Sequence, residues 1–245
     1  SFRSMFKRWQ NAGSLKFVDN VSASSPNVIT RTNNPVVQID NTTLFVDNTS
    51  KGSGIGVYKY HFTDNNSNAP DNNSETAWWT RIPRGDADNL TYRFTRLDNG
   101  SALTGVGDNL TLYIYAIDNL SNFDNSSTGP ISASIIFDNA TPTGSGNVTV
   151  SNAGNITSDN QTFWVNSTTI TFDNASLHAA TTDNDSILTF AAIDNGTSGS
   201  SGNYVSAPTF TGSAGANTIY IWAKDSAGNG PGLIDNLTVN VDASA

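Results

Sequence analysis

From Pro35 onward the chain consists of short apolar stretches separated by polar turns. β-Branched and aromatic residues dominate the stretches, and Gly, Asn, Asp and Ser dominate the gaps, which is typical of β-strands joined by loops. The predicted strands are 36–39, 44–46, 57–62, 77–82, 90–94, 110–116 and 131–137, then 148–150, 162–165, 168–172, 187–192, 209–211, 218–223 and 237–241. About seven strands per ~100 residues indicates a β-sandwich, so the pattern predicts an all-β chain of two sandwiches.

A repeat supports the division into two domains. Residues 219–230 read I-Y-I-W-A-K-D-S-A-G-N-G, and residues 112–122 read L-Y-I-Y-A-I-D-N-L-S-N. Each copy is followed by a strand that closes on an aspartate, Asp138 or Asp242. Self-similarity at a domain-sized spacing indicates tandem domains. We therefore predict an N-terminal extension over 1–35, a first domain over 36–142 and a second over 143–245.

The repeated strand also offers core candidates. Side chains alternate between the two faces of a strand, so Tyr220 shares a face with Trp222, and Tyr113 with Tyr115. If these tyrosine rings are core, conversion of Tyr220 or Tyr113 to Ala should cost about 3 to 5 kcal/mol of stability.

The amino-acid sequence of the repeat resembles that of a known protein family. A strand, then D-x-A-G-N, then a strand ending in Asp is similar to the Ig-like domains of bacterial and archaeal cell-surface proteins. The first copy adds K-G-S-G-I-G-V-Y-K-Y at 51–60 and the pair Trp78-Trp79. The resemblance spans about residues 36–242. It implies tandem Ig-like β-sandwich domains with a spacer, adhesive or filament-forming role, and it carries no shared catalytic residues.

The N-terminal segment has a different pattern. Apolar residues at the i, i+3, i+4 and i+7 positions predict one face of a short helix that ends near Gly13, and a frayed or extended segment is the alternative. Residues 14–35 hold strand-like stretches that suit either the first strand of domain one or a strand lent to a neighbouring subunit. We expect assembly contacts from the aromatic side chains Phe2, Phe6, Trp9 and Phe17.

Charge is distributed unevenly along the chain. The net charge is −9, which argues against nucleic acid as a partner. Residues 1–96 hold 11 Lys and Arg against 8 acids, for +3, and residues 97–245 hold 1 Lys against 13 acids, for −12. The split favours head-to-tail association of copies, and drift of two unrelated surfaces is the alternative. No stretch reaches the ~18 apolar residues of a membrane span.

Nineteen Asn-x-Ser/Thr sequons mark the chain for N-glycosylation. Chance predicts roughly eight for this composition, and 16 of these Asn follow an Asp. The alternative is that Asp-Asn pairs form Asx-turns at strand ends, which by itself does not explain the hydroxyl residue two positions later. The predicted glycan sites are Asn20, Asn41, Asn48, Asn65, Asn72, Asn89, Asn99, Asn109, Asn119, Asn125, Asn139, Asn147, Asn155, Asn160, Asn166, Asn174, Asn184, Asn195 and Asn236.

Other candidate chemistry is sparse. Asp86-x-Asp88 and Asp183-x-Asp185 have the spacing of calcium loops but lack the flanking ligands and glycine, so turn chemistry is the favoured interpretation. His61 and His178 have no partner pattern for a metal site, cysteine is absent, and no G-x-S-x-G motif appears. We therefore expect no enzyme activity and no cofactor beyond covalent glycans, and a calcium ion is the alternative.

Taken together, these patterns favour a structural glycoprotein of the cell surface. We expect a subunit of an extracellular filament or sheath whose partners are copies of itself and cell-envelope components. The alternative is an adhesin stalk or a carbohydrate-binding module, which should present one bare face rich in aromatic residues.

Overall fold

A computed structural model describes residues 12–19, 26–45, 55–64, 80–83, 89–118, 130–157, 161–185, 187–194 and 196–242. The chain divides into two compact units, Ser1–Phe137 and Asp138–Ala245. The division falls just before the boundary that the sequence predicts after residue 142. The predicted N-terminal helix lies outside the described residues.

Most strands of the first unit overlap the apolar stretches that predicted them, although the predicted strand 44–46 is not among them. Its elements are a 3-10 helix at Ala12–Ser14 and strands β1 (Leu15–Phe17), β2 (Arg31–Thr32), β3 (Val36–Asp40), β4 (Ile55–Thr63), β5 (Thr80–Pro83), β6 (Asn89–Arg93), β7 (Val106–Asp118) and β8 (Ile131–Asp138). One sheet has the order β1-β3-β6, and the other has the order β2-β8-β7-β4-β5. Within this unit, β2 pairs with β8 in the parallel direction, and the other described strand pairs are antiparallel.

The two sheets of the first unit enclose one core. Phe17 and Ile39 from the three-stranded sheet are buried in the same cluster as Phe62 and Leu112 from the five-stranded sheet. Two sheets that bury one face each against a shared apolar interior form a β-sandwich. The predicted all-β sandwich fold is thereby confirmed for this unit.

The strand-like stretches of residues 14–35 belong to this sandwich. Leu15 and Phe17 of β1 pair with Ile39 and Val37 of β3, and Arg31 of β2 pairs with Ile136 of β8. Of the two alternatives that the sequence left open, the strand of domain one is therefore the one observed. The stretches are part of the first unit, so the predicted extension over 1–35 is too long.

The second unit contains more short strands. Its elements are β9 (Thr143–Gly144), β10 (Asn155–Ile156), β11 (Thr162–Val165), β12 (Thr169–Thr171), helix α1 (Asn174–Ala179), β13 (Thr181–Thr182), β14 (Leu188–Ile193), β15 (Thr209–Thr211), β16 (Gly215–Asp225) and β17 (Gly232–Val241). The main sheet has the order β10-β11-β17-β16-β14, with β11 parallel to β17. The pairs β12-β15 and β9-β13 form smaller sheets.

The core of the second unit also draws on both layers. Phe163 and Val239 of the main sheet are buried in one cluster with Ile170 of β12. Leu177 of helix α1 belongs to the same cluster, so the helix packs onto the sandwich. The predicted all-β sandwich class holds for both units.

Helix α1 was not predicted from the sequence. Asp173 caps it, because its side chain accepts a hydrogen bond from the backbone N–H of Ser176. With six residues the helix is too short to show an apolar period, and the burial of Leu177 holds it in place. No helix among the described residues is long and apolar enough to cross a membrane.

The face of β16 that packs on the core is not the face that carries Tyr220, whereas the sequence suggested Tyr220 as a core residue. Ile219, Ile221 and Ala223 are fully buried in the core of the second unit, and Tyr220 is only half-buried. In the first unit Tyr113 is buried, but it packs in a small separate cluster with Tyr115. Both tyrosines therefore lie on the face away from the main core.

Candidate functional site

The predicted glycan acceptors are almost all exposed where the structure describes them. Eleven of the nineteen sequon asparagines lie in the described residues, and ten of these eleven are exposed. The ten are Asn89, Asn99, Asn109, Asn139, Asn147, Asn155, Asn166, Asn174, Asn184 and Asn236. The sites Asn20, Asn48, Asn65, Asn72, Asn119, Asn125, Asn160 and Asn195 lie outside the described residues. The exposed acceptors occur in both units.

Asn41 is the exception, and the structure corrects its assignment. Its exposed fraction is 2%, and its Oδ1 accepts a 2.6 Å hydrogen bond from the hydroxyl of buried Tyr58. A glycosyl transferase must reach the amide nitrogen from solvent, which this packing prevents in the folded chain. Asn41 is therefore a structural residue of the first unit.

Two of the aspartates that precede sequon asparagines make turns that involve the hydroxyl residue of the sequon. Asp40 accepts hydrogen bonds from the backbone N–H of Thr42 at 2.8 Å and from the hydroxyl of Thr43 at 2.7 Å. Asp173 accepts from the backbone N–H of Ser176 at 2.7 Å, and its backbone carbonyl accepts from the Ser176 hydroxyl at 2.8 Å. Thr43 and Ser176 are the hydroxyl residues of their sequons. At these two sites the Asx-turn explanation therefore accounts for the hydroxyl residue as well as for the Asp-Asn pair.

These turns also tune the acidity of Asp40. The hydrogen bond from the Thr42 hydroxyl is the largest cause that lowers the pKa of this carboxyl below its ordinary value, with Thr43 adding to it. A donor that binds the ionised form stabilises the carboxylate over the acid.

The aromatic residues proposed for assembly divide into two groups. Phe17 is 2% exposed, and its ring centroid lies 6.3 Å from that of Phe62 inside the first sandwich. It is part of the chain's own core, so the expectation that it contacts a neighbouring subunit is wrong. Phe2, Phe6 and Trp9 lie outside the described residues.

The two aspartates of Asp183-x-Asp185 have different roles. Asp185 is 5% exposed and accepts hydrogen bonds from the backbone N–H of Ile187 at 2.9 Å and of Ser226 at 2.8 Å. This is the turn chemistry that the sequence favoured. Asp86 and Asp88, the other pair with this spacing, lie outside the described residues.

Asp183 instead joins a cluster of three aspartates in the second unit. Asp138, Asp183 and Asp225 each bring one carboxylate oxygen to within 4.8 Å of the other two. Asp138 lies at the end of β8, Asp183 lies in the loop between β13 and β14, and Asp225 ends β16. Sequence spacing misses this cluster because the three residues come from separate segments of the chain.

The D-x-A-G-N turn organises the cluster. The backbone N–H of Asn229 donates to Asp225 Oδ1 and its Nδ2 donates to Asp225 Oδ2, both at 2.7 Å. The same Nδ2 donates to the backbone carbonyl of Asp138 at 2.9 Å. Asn229 therefore orients the Asp225 carboxylate and connects this turn to Asp138, the first residue of the second unit.

The electrostatics of the cluster are unfavourable to three carboxylates alone. Asp138 is fully buried and Asp225 is 7% exposed. Burial raises the pKa of Asp183, and the negative charges of Asp225 and Asp138 raise it further. Among the described residues this is the group of acidic or imidazole side chains whose geometry could hold a metal ion.

The histidines lie elsewhere. His61 Nδ1 contacts the Asp98 carboxylate, an ion pair when the imidazole is protonated. The ring of His178 meets the Phe190 ring edge-on at 5.2 Å. The sequence showed neither partner, since both contacts are long-range.

One exposed tryptophan stands out in the second unit. Trp164 of β11 is 39% exposed, and it lies directly opposite Asn155 of β10 in the antiparallel register. Directly opposite residues project from the same face of a sheet. Trp78 and Trp79, the sequence candidates for such a role, lie outside the described residues.

Comparisons with known proteins concern the fold. No protein-family model and no curated protein matches the chain. The fibronectin(III)-like modules of Clostridium thermocellum CbhA are similar at a TM-score of 0.36 and 14% identity, over 93% of this chain and 93% of theirs. The FN1-FN3 domains of chicken CNTN1 are similar at 0.39 and 11%, over 88% of this chain and 66% of theirs. Both scores are low, so the fold assignment rests on the strand pairing and shared cores described above.

Proposed function

We propose that the chain is a structural, N-glycosylated subunit of an extracellular surface filament or sheath. The observation that carries the proposal is the exposure of ten sequon asparagines distributed over both units. In a chain with 13% charged residues, glycans would supply the polar bulk that keeps the surface soluble and covers strand edges. The proposal includes no catalytic role.

Mass spectrometry of native material tests the glycosylation. An intact mass well above the 26.0 kDa of the polypeptide, with glycopeptides that map to the exposed asparagines, is the expected result. A mass near that of the bare polypeptide would exclude this part of the proposal.

Assembly is proposed to run head to tail. Residues 1–96 carry a charge of +3 and residues 97–245 carry −12, so attraction between exposed charges would orient approaching subunits. Apolar burial of Phe2, Phe6 and Trp9 on the acidic part of the next subunit would then hold the joint. Such a heterologous contact does not close on itself, and it therefore propagates into a fibre.

Truncation tests the joint. Because β1 and β2 belong to the first sandwich, the informative deletion removes residues 1–11 and keeps both of these strands. We expect the truncated chain to keep its unfolding transition and to remain monomeric under conditions in which the full chain forms filaments. A milder variant, Phe2→Ser with Phe6→Ser and Trp9→Ser, should do the same. Filaments from both variants would place the joint elsewhere.

A second candidate function is a carbohydrate-binding surface module. The exposure of Trp164 on a sheet face of the second unit favours it, because an indole ring stacks well on the apolar face of a sugar. Binding of non-glycosylated protein to an array of free glycans, lost in Trp164→Ala, would support this function over the structural one.

A further inference from the structure

We propose that Asp138, Asp183 and Asp225 bind a divalent cation of calcium's size within the second unit. This site goes beyond the proposed structural role and does not depend on glycosylation or on assembly.

The geometry suits a single ion. Calcium binds oxygen ligands at about 2.3–2.6 Å, so two ligands of one ion lie at most about 5 Å apart. The three carboxylate oxygens all lie within 4.8 Å of one another, so one calcium ion can contact all of them without a rearrangement of the backbone. Magnesium, with ligands at about 2.0–2.1 Å, would need them closer together.

A second observation points to a ligand at this position. Asp183 Oδ2 is enclosed by protein and has no hydrogen-bond donor. Its companion Oδ1 accepts the backbone N–H of Asn184 at 2.9 Å, which leaves Oδ2 as the oxygen of this carboxylate that is available to a cation. A buried, ionised oxygen without a partner is costly, and a bound cation would complete its coordination.

The second unit offers little positive charge to balance the cluster. Lys224 is the single Lys or Arg after residue 96. Its Nζ lies 4.3 Å from the centroid of the Tyr204 ring, where it makes a cation–π contact. Two of the three carboxylates are more than nine-tenths buried, and buried like charges need a counter-ion at short range.

The ion would link three segments of the second unit. Three segments meet at the cluster: the first residue of the second unit, Asp138, the β13–β14 loop with Asp183, and the end of β16 with Asp225. In this proposal the D-x-A-G-N turn positions a ligand, because Asn229 donates two hydrogen bonds that hold the Asp225 carboxylate in place. With three protein carboxylates and water completing the shell, the affinity should fall near the 10⁻⁴–10⁻³ M range typical of extracellular modules.

Calorimetric titration of the full, EDTA-treated and dialysed chain with calcium chloride tests the site. We expect saturable binding of one ion, and a rise in the unfolding temperature when calcium replaces EDTA. The informative variant is Asp183→Asn. An asparagine Oδ1 can still accept the hydrogen bond from Asn184, and Asp183 Oδ2 makes no hydrogen bond that the change could break. This variant should weaken calcium binding on the order of tenfold or more, since one of three charged ligands is lost.

The matched control is Asp194→Asn, which removes the same charge from an exposed position outside the cluster. It should bind calcium as the parent does. In EDTA, Asp183→Asn should be at least as stable as the parent, because it relieves repulsion, and this distinguishes loss of a ligand from loss of folding. Equal calcium responses of the parent and Asp183→Asn, or no binding by the parent, would overturn the proposal. An equal affinity for magnesium would overturn the assignment to calcium.

Discussion

Asn155 and Trp164 are direct cross-strand partners on one face of the second unit, and both are exposed. Their Cβ atoms should lie about 4.5–5.5 Å apart, so a glycan on Asn155 would start beside the indole ring. We therefore expect the first sugar of such a glycan to pack on the ring of Trp164.

A double-mutant cycle on native glycoprotein tests this contact. The loss of unfolding free energy caused by Trp164→Ala should be about 0.5–1.5 kcal/mol larger in the glycosylated parent than in the Asn155→Gln variant, which lacks the acceptor for this glycan. Denaturant unfolding measures both losses. Leu233→Ala, at another exposed apolar residue, should show no such dependence. Equal effects of Trp164→Ala in both backgrounds would show that the sugar does not contact the ring.

The pairing of Asn41 with Tyr58 predicts a gap in the glycan map. We expect the peptide that contains Asn41 to be unmodified in native protein, because its amide is buried, and the peptide that contains exposed Asn99 to carry glycan. Glycopeptide sequencing measures both. A glycan on Asn41 in folded protein would contradict the described packing of the first unit.

The same pair predicts a stability effect. Tyr58→Phe removes the hydroxyl that donates to Asn41 Oδ1 and leaves a buried acceptor short of its partner. The free energy of unfolding should fall by about 1–3 kcal/mol. Urea denaturation of non-glycosylated protein measures the change, and Tyr92→Phe at a half-buried ring is the comparison, with a smaller expected loss.

The turn at Asp40 predicts a pH dependence. Because the pKa of Asp40 is lowered in the folded chain, its contribution to stability is present above the ordinary pKa of 3.8. The contribution is lost as the pH falls through the lower, folded value. The Asp40 carboxyl should therefore titrate below 3.8 by NMR. Thr42→Ala, which keeps the sequon residues Asn41 and Thr43, should move the midpoint back up, and Thr95→Ala should leave it unchanged.

The core face of β16 predicts a contrast between neighbours in the chain. Ile219→Ala should cost about 2–5 kcal/mol, because Ile219 is fully buried and the change leaves a cavity. Tyr220→Ala should cost less, since the ring is half-buried on the other face. Chemical denaturation of the two variants compares them, and a larger loss for Tyr220→Ala would contradict the described orientation of the strand.

The positions of the strands show how much of the secondary structure a local sequence pattern can predict. Most described strands coincide with an apolar stretch of the sequence, and Thr209–Thr211 and Thr162–Val165 agree residue for residue. Alternating burial and turn residues are local properties, so they can be predicted from neighbouring residues. The predicted strand 148–150 is not observed as a strand, because this stretch contributes only the isolated bridge of Val150 to Phe172.

By itself the sequence determined the all-β class, the division into two units and the sequon pattern, since each depends on residue types at short spacing. Tertiary structure alone decided which face of the repeated strand is buried, because Ile219 and Tyr220 are both apolar enough for a core. It also decided that Asn41 and Phe17 are internal, and that Asp138, Asp183 and Asp225 meet. These relationships join residues far apart in the chain, and only the packing of the sheets brings such residues into contact.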